Sequence, residues 1–261
     1  MLLAIDAGNT NIVFSAFSGP ELAGSWRAMT RAERTADEYA AYLLTLFGTV
    51  GINPDKLHIA IISSVVPDAN FALQRLCETN LGIRAFFIGD PLLELGIKVK
   101  IDRPEELGAD RIVNAIGALQ QHKPPFLIAD FGTATTLDYI DAKGDYCGGV
   151  IAPGPNLSLQ ALHMAAAKLP RVALTAPAKV LATNTVGAMQ SGVFYGYLGM
   201  VEGLVQRLQD ELGLKLPVIA TGGLASLFAP ASKIFTAHEP DLTLRGLKYI
   251  YDRNAERLEP L

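Results

Sequence analysis

The feature that most constrains the fold is a short pattern that occurs twice. Ile5–Ile12 reads IDAGNTNI and Ile128–Leu137 reads IADFGTATTL. In both places an apolar run reaches an aspartate, a glycine-containing turn follows, and a second apolar run begins. Such a pattern is typical of two strands joined by a tight turn. Because the two copies are about one small domain apart, we predict a duplicated unit.

The first copy opens a half of the chain in which strands precede helices. Glycine-containing turns separate its first three strand-like runs, which indicates an antiparallel meander. The run His58–Val66 is β-branched and lacks polar alternation, as is typical of a parallel strand buried on both faces. Apolar residues at helical spacing fill much of the remainder. The predicted strands are 2–6, 11–17, 22–28, 58–66 and 85–88, and the predicted helices are 37–46, 69–77 and one that begins near Gly108.

The second copy follows the sequence KPPF at 123–126 and repeats this order. The predicted strands are 126–130, 136–141, 146–151 and 216–220, and the predicted helices are 156–168, 185–212, a short one in LASLFAPA, and 242–257. Gly196 and Gly199 are points where the long helix could break. Because strands are followed by helices in both halves of the chain, we predict an α/β protein with domains at 1–120 and 121–261.

Composition narrows the class of protein. The chain has 261 residues, half of them hydrophobic, and a formal net charge of −4. Without a run of Lys and Arg it lacks the electrostatic footprint of nucleic-acid or anionic-membrane binding. We expect no signal peptide, and no apolar run reaches the ~18 residues of a membrane helix. Cys77 and Cys147 form no C-x-x-C pair and the histidines show no metal-ligand spacing, which favours free thiols in the cytoplasm.

The Asp-x-Gly turns suit phosphate chemistry. Glycine lets the backbone approach a ligand closely, and successive backbone N–H groups can converge on phosphate oxygens. An ionised aspartate at the strand end would repel a bare phosphate but suits a metal ion or the waters that it holds. For either turn alone, an ordinary hairpin is the favoured explanation. The repetition favours two turns that hold a polyphosphate and its Mg²⁺ from two sides.

Two residues of GADR, Asp110 and Arg111, form a second candidate. An aspartate can accept a hydroxyl proton late in phosphoryl transfer, and a guanidinium can pair with a carboxylate or phosphate. The alternative, favoured on spacing alone, is a first-turn aspartate that suits the helix dipole beside a solvated arginine.

The starts of two other elements are further candidates. Asn184 or Thr185 can cap the long helix, and the Thr185 hydroxyl could instead face an anionic ligand. VIATGG, at 218–223, ends a buried strand on two glycines, where nucleotides often lie in α/β folds, although an ordinary turn explains it as well. The Walker A and G-x-G-x-x-G patterns are both absent from the sequence.

Taken in order, these motifs resemble one family over essentially the whole chain. DAGNT, GADR, DFGTATT, GGVIAPG, NT followed by AMQSG, and TGG are similar to the motifs of type III pantothenate kinases. The resemblance implies two RNase H-like domains of the actin, Hsp70 and sugar-kinase group, with ATP in an interdomain cleft. It implies phosphorylation of the pantothenate primary hydroxyl by ATP, the first step of coenzyme A synthesis, in a cytoplasmic homodimer.

The resemblance also implies roles for single residues. Asp110 would be the general base, and Asp130 would bind the K⁺ or NH₄⁺ that the family requires, with Mg²⁺ accompanying ATP. The expected ATP contacts are Asp6, Ala7, Gly8, Asn9, Thr10, Asn11, Ile12, Val13, Gly132, Thr133, Ala134, Gly222 and Gly223. The expected pantothenate contacts are Gly108, Ala109, Asp110, Arg111 and Thr185.

One position departs from the family pattern, and two other functions stay open. Ile101 stands where a substrate-contacting tyrosine is expected, nine positions before Asp110. A kinase of the same fold group for another small alcohol would share the phosphate loops. An ATP-binding transcriptional accessory protein without turnover would not need Asp110.

Overall fold

The computed structural model describes residues 1–165 and 169–258. Contacts divide the chain into two compact units. The first unit contains Met1–Lys98, Asp102–Gln121 and the C-terminal segment from Asp241. The second contains Val99–Ile101 and His122–Pro240. The chain therefore passes between the units four times, and each unit has its own sheet.

The sheet of the first unit has five strands in the order β3-β2-β1-β4-β5. Strands β1, β2 and β3 are the antiparallel meander that the turns predict, while β4 and β5 continue the sheet in parallel. The bounds are β1 Leu2–Ala7, β2 Asn11–Ser18, β3 Glu21–Met29, β4 Ile59–Ser64 and β5 Arg84–Phe87. The central strand β1 ends at the first Asp-x-Gly turn.

Helices cover both faces of this sheet, which explains why β1 is apolar up to Ile5 and β4 up to Ile62. Leu3 and Ile5 belong to one core cluster, with residues of α1 (Ala36–Val50) and α2 (Pro67–Arg75). Leu2 and Ala4 point to the opposite core, with α3 (Ala109–Leu119) and α7 (Leu242–Leu258). α1 begins at a capping box and ends at Gly51, which has a left-handed conformation.

Helices α3 and α7 cross at glycines. A Cβ at Gly117 would lie 2.3 Å from the Leu242 carbonyl oxygen, and one at Gly246 would lie 2.1 Å from the Val113 oxygen. Only glycine permits this separation, so the two helices pack with their backbones in contact.

The sheet of the second unit has the order β10-β9-β6-β7-β8. Its antiparallel meander is β6 (Phe126–Phe131), β7 (Ala134–Ile140) and β8 (Tyr146–Pro153), and β9 (Val218–Thr221) and β10 (Ala237–His238) add in parallel. The remaining helices are α4 (Pro155–Ala165), α5 (Thr185–Leu212) and α6 (Ala225–Phe228). β6 takes the central place that β1 has in the first unit, so the predicted duplication is confirmed.

Stacked aromatic rings bind α5 and α6 to the sheet. The Phe228 ring stacks on those of Phe131 and Phe194, with centroids 5.3 and 5.1 Å apart, and Tyr197 packs on the same ring. This packing offsets the weak helix propensity of the glycines in α5, which is why the helix runs unbroken through Gly196 and Gly199.

Several predicted elements differ from the structure. α1 extends to Val50, and α2 ends at Arg75, where a π-helical turn, Leu76–Asn80, follows. The short strand β10 was not predicted, because two residues carry no periodicity. The predicted helix 156–168 is present up to Ala165, and its last three positions lie outside the described residues.

The final helix is the largest difference. The sequence predicts 242–257 within the second domain, whereas α7 packs on α3, β1 and β4 of the first unit. The domain bounds 1–120 and 121–261 otherwise stay a prediction. Within the part of the chain that the structure describes, no helix has the length and apolar character to span a membrane.

Candidate functional site

The first Asp-x-Gly turn is a preformed loop between β1 and β2. The Gly8 N–H donates to the Asn11 carbonyl oxygen at 3.0 Å and closes the turn. From the end of β3, the Thr30 hydroxyl donates to the Gly8 oxygen at 2.6 Å and the Thr30 N–H to the Thr10 oxygen at 3.0 Å. Asn9 and Thr10 are exposed at the tip. The tip is therefore held by Thr30, which sequence reasoning missed; its only signal is the meander register, which pairs Met29 with Asn11.

Residues around this turn differ in what they could offer a ligand. Ala7 and Ile12 are fully buried, so they could contact a ligand only through their backbone. Asp6 pairs with Val13 across the hairpin and with Ser63 in the parallel register of β4. The carboxylate thus stands at the carboxyl end of the central strand, beside the turn.

Asp6 has an electrostatic environment that favours a bound proton or cation. Burial and then the charge of Asp110 raise the pKa of Asp6 to about 7, while the Ser63 hydroxyl and Arg27 oppose the shift. The influence of Asp110 means that the end of β1 and the start of α3 bring two carboxylates together. Ionised carboxylates have no hydrogen-bond donor, and two that lie close together repel each other. Their oxygens are therefore suitable ligands for a hard divalent cation such as Mg²⁺.

GADR forms the start of α3. Gly108 is the N-cap and provides no side-chain cap, and the Asp110 Oδ1 accepts a hydrogen bond from the Arg111 N–H at 2.8 Å. A Cβ at Gly108 would lie 2.6 Å from this same Oδ1, so a larger residue would displace the carboxylate. The Nη2 atom of Arg111 is shielded from solvent. At least this nitrogen of the guanidinium therefore lies against the protein, so the side chain is not fully solvated.

The second Asp-x-Gly turn, between β6 and β7, is braced by another segment of its unit. The Gly132 N–H donates to the Ala134 oxygen at 3.0 Å, and the Gly154 N–H donates to the Thr133 oxygen at 3.1 Å. A Cβ at Gly154 would lie 2.2 Å from that oxygen. Thr133 and Ala134 are exposed. Gly154 is part of GGVIAPG, but its sequence context does not reveal that it packs on the turn.

The structure brings Asp130 and the TGG glycines together. β6 and β9 are parallel, with Asp130 opposite Thr221. Gly222 has φ +91°, and a Cβ there would lie 2.2 Å from the Asp130 Oδ1. Gly223 is exposed, and a Cβ there would meet nothing within 4 Å. The two glycines thus differ: Gly222 must be glycine for Asp130 to lie where it does, while Gly223 leaves open space.

Tyr197 is a further neighbour of Asp130 that sequence reasoning missed. Burial and then the charge of Asp130 raise the pKa of the Tyr197 phenol. Its hydroxyl is hydrogen-bonded to that of Thr135 on β7. The helical pattern of α5 marks Tyr197 as a core residue and gives no sign of this polar neighbour.

Thr185 stands apart from these groups. It is the exposed first residue of α5, and the Asn184 side chain caps the helix by accepting the Gly187 N–H at 2.8 Å. Capping therefore does not require Thr185. No hydrogen bond joins Thr185 to the second turn among residues 1–165 and 169–258, nor does any cluster of three His, Cys, Asp or Glu side chains form a metal site there.

Comparison with known proteins identifies the family. A family model described as type III pantothenate kinase matches residues 2–207. A type III pantothenate kinase of Paramagnetospirillum magneticum is 54% identical over 255 residues, 98% of each chain. Another, of Rhodospirillum centenum, is 51% identical over an alignment of 261 positions that covers 98% of this chain and 100% of the relative.

Solved structures share the fold at much lower identity. A conserved protein of Campylobacter jejuni assigned to the Baf family of transcriptional activators has a TM-score of 0.62 at 19% identity, covering 97% of this chain and 99% of its own. The activator of 2-hydroxyisocaproyl-CoA dehydratase from Clostridium difficile, with bound ADPNP, has a TM-score of 0.55 at 13% identity, covering 100% and 98%. At these identities the likenesses show the fold alone, which is the duplicated α/β fold that the motifs predict. The chain belongs to the type III pantothenate kinase family and is an ATP-dependent kinase.

Proposed function

We propose that the chain transfers the γ-phosphoryl group of ATP to the primary hydroxyl of pantothenate, the first step of coenzyme A synthesis. The observation that carries this proposal is that Asp110 lies close enough to Asp6 for its charge to raise the pKa of Asp6. This proximity supports the role of Asp110 as a base beside the turn that would hold phosphate. Family membership supplies the acceptor, because the relatives are named for pantothenate.

In this proposal Asp110 accepts the proton of the attacking hydroxyl, and its own carboxylate is oriented by the Arg111 N–H. The Arg111 guanidinium pairs with the pantothenate carboxylate, as a charge-assisted contact. Gly108 and Ala109 line the same helix start, where backbone N–H groups and the helix dipole favour a negative charge. Thr185 contributes a hydroxyl to the substrate.

Each turn would hold ATP through its backbone. The first would use Gly8 to Asn11 with the neighbouring strand ends, and the second would use Gly132 to Ala134, with the adenosine against Gly222 and Gly223. Asp6 would hold Mg²⁺ through its waters, and the ion would supply positive charge that offsets the charge of the phosphates. The raised pKa of Asp6 supports this, because a bound cation would offset the burial and the negative charge of Asp110 that raise it.

Asp130 would hold a monovalent cation, K⁺ or NH₄⁺. Its carboxylate lies at the end of β6, with Gly222 packed against Oδ1 and Tyr197 beside it. Such a cation adds fixed positive charge where phosphoryl transfer develops negative charge.

The proposed assembly is a cytoplasmic homodimer that binds neither nucleic acid nor membrane. Large apolar side chains are unusually exposed in the stretch from β8 to the start of α5, with Met164 75% and Leu181 85% exposed. A second copy of the chain would remove such surface from water. Light scattering of the purified protein would measure the mass directly.

ADP release, measured with ATP and Mg²⁺, tests the function. Turnover that requires pantothenate and is higher in K⁺ than in Na⁺ is expected. ADP release without pantothenate, or no release from protein that binds ATP, would instead support another acceptor or the transcriptional accessory function. A likeness to a transcriptional activator at 19% identity shows the fold alone and leaves that alternative for the assay.

Asp110→Asn tests the base. Because general-base catalysis contributes about 10²- to 10⁴-fold, kcat should fall by that factor while ATP binding persists. Asp102→Asn, at an exposed position near the same segment, is the matched control and should keep wild-type turnover. Asp110→Asn with retained kcat would remove Asp110 as the base.

Arg111→Ala tests the carboxylate pair. Loss of a charged hydrogen bond costs about 1.5–3 kcal/mol, so KM for pantothenate should rise about 10- to 100-fold. The KM for ATP should stay near that of the wild type. An unchanged pantothenate KM would refute this role.

A further inference from the structure

The long connection between β5 and α3 contains a segment that the proposed function does not use. Val99–Ile101 belongs to the second unit, although the residues on both sides of it, up to Lys98 and from Asp102, belong to the first. The connection leads to Gly108–Arg111, the proposed acceptor site. What holds Val99–Ile101 in the second unit therefore fixes one end of the loop before that site.

Backbone pairing holds part of this segment. Val99 forms a parallel β-bridge with Tyr146 at the start of β8, and the Lys100 N–H donates to the Tyr146 carbonyl oxygen at 2.7 Å. Tyr146 is itself fixed, because its buried hydroxyl donates to the Asp138 Oδ1 at 2.6 Å. The segment thus extends the sheet by a short edge contact on a rigid partner.

The Lys100 side chain adds ion pairs to two carboxylates. Its Nζ lies 2.9 Å from the Asp141 Oδ2 and 2.7 Å from the Asp145 Oδ2. The other oxygen of Asp141 accepts the N–H groups of Lys143 and Asp145, so the turn presents both carboxylates in a preformed arrangement. Lys100 places its positive charge between these two carboxylates.

The opposite end of the loop is fixed in the first unit. Leu107 packs against the core cluster that contains Ile112 and Ile116 of α3. Between Lys100 and Leu107 the loop has a 3₁₀ turn, Pro104–Glu106, and an ion pair from Arg103 to Glu106 at 2.6 Å. The loop is therefore anchored at one end by Lys100 and at the other by Leu107, and release at Lys100 would free the segment that leads to Gly108.

We propose that Lys100, through its ion pairs with Asp141 and Asp145, is a positioning residue for the acceptor site. It holds in place the loop that leads to Asp110 and Arg111. The inference rests on the proposed function. Because an exposed ion pair contributes little to global stability, we expect these ion pairs to act mainly on the position of the loop. A small misplacement of substrate-binding groups can cost up to about 10²-fold in rate.

Three variants test this. Lys100→Met should raise KM for pantothenate about tenfold or more, leave KM for ATP near wild type, and change Tm by no more than about 2 °C. Lys100→Arg keeps the cation and should restore the pantothenate KM. Lys98→Met removes an exposed lysine for which no ion pair is seen in residues 1–165 and 169–258, and it should behave as wild type.

Hydrogen exchange gives a readout that does not depend on turnover. Peptides covering 97–107 should exchange faster in Lys100→Met than in Lys98→Met, since without the two ion pairs the backbone bond to the Tyr146 oxygen should open more often. Faster exchange with unchanged kinetics would overturn the positioning role. So would equal losses for both substrates, or unchanged exchange. If the wild type itself fails to phosphorylate pantothenate, the proposed function fails first and the inference falls with it.

Discussion

Gly222→Ala should disturb the Asp130 site, and the structure sets the size of the effect. The new methyl group would lie 2.2 Å from the Asp130 Oδ1 and 2.7 Å from the Phe131 nitrogen, well inside van der Waals contact. The backbone would also hold alanine at φ +91°, a region that alanine rarely adopts. Either Asp130 turns away or the end of β9 shifts from β6.

The two costs can be added. Backbone strain of this kind costs about 1–3 kcal/mol and overpacking another ~1–3 kcal/mol, so we expect a loss of roughly 2–6 kcal/mol in the free energy of unfolding. For a protein of this size each kcal/mol lowers Tm by about 2–4 °C, which gives a fall of at least about 4 °C.

Differential scanning calorimetry would measure Tm, with Gly223→Ala as the control. A Cβ at Gly223 meets nothing within 4 Å, so that variant should melt close to the wild type. The stimulation of turnover by K⁺ should be lost in Gly222→Ala and kept in Gly223→Ala. If the two variants melt at the same temperature, the close packing of Gly222 on Asp130 is refuted.

Two further predictions concern the first turn. Since the pKa of Asp6 is raised to about 7 from ~3.9 in the unfolded chain, its contribution to stability is complete below pH ~4 and is lost as pH rises toward 7. Without Mg²⁺, urea unfolding should show this loss in the wild type and not in Asp6→Asn; equal pH dependence in both would contradict it. Thr30→Val removes the 2.6 Å bond to the Gly8 oxygen, worth about 0.5–1.5 kcal/mol, so KM for ATP should rise up to about tenfold. Thr45→Val loses a similar hydroxyl–carbonyl bond in α1 and should leave KM unchanged; a rise there too would show that the effect is not local.

Sequence periodicity predicted most of the elements because burial imposes it locally. The meander β1–β3, the buried strand β4 and the helix α5 lie within a few residues of their predicted bounds. Their patterns of apolar residues follow from which faces are covered, and those faces repeat every two or 3.6 residues. β10 lacked such a pattern, and α5 continues through glycines because aromatic packing outweighs propensity.

Candidate site residues were predicted in part, and for a specific reason. Motif positions such as Asp6, Asp110 and Gly222 stand out because turns and helix starts need particular residue types. Residues that brace them, such as Thr30 and Gly154, are ordinary in their own local context. Their importance comes from contacts across the sheet, at a separation along the chain that no local pattern records.

The sequence by itself determined the duplicated α/β plan and the family, since both depend on local patterns and motif order. Only the tertiary structure decided which groups meet. It brought Asp110 to Asp6, Gly222 to Asp130 and Lys100 to the turn at Asp141, and it placed α7 on the first unit through glycine contacts with α3. Such pairings depend on packing between distant segments, where a few ångströms separate a contact from none. That geometry is fixed by the whole core and not by any single stretch of chain.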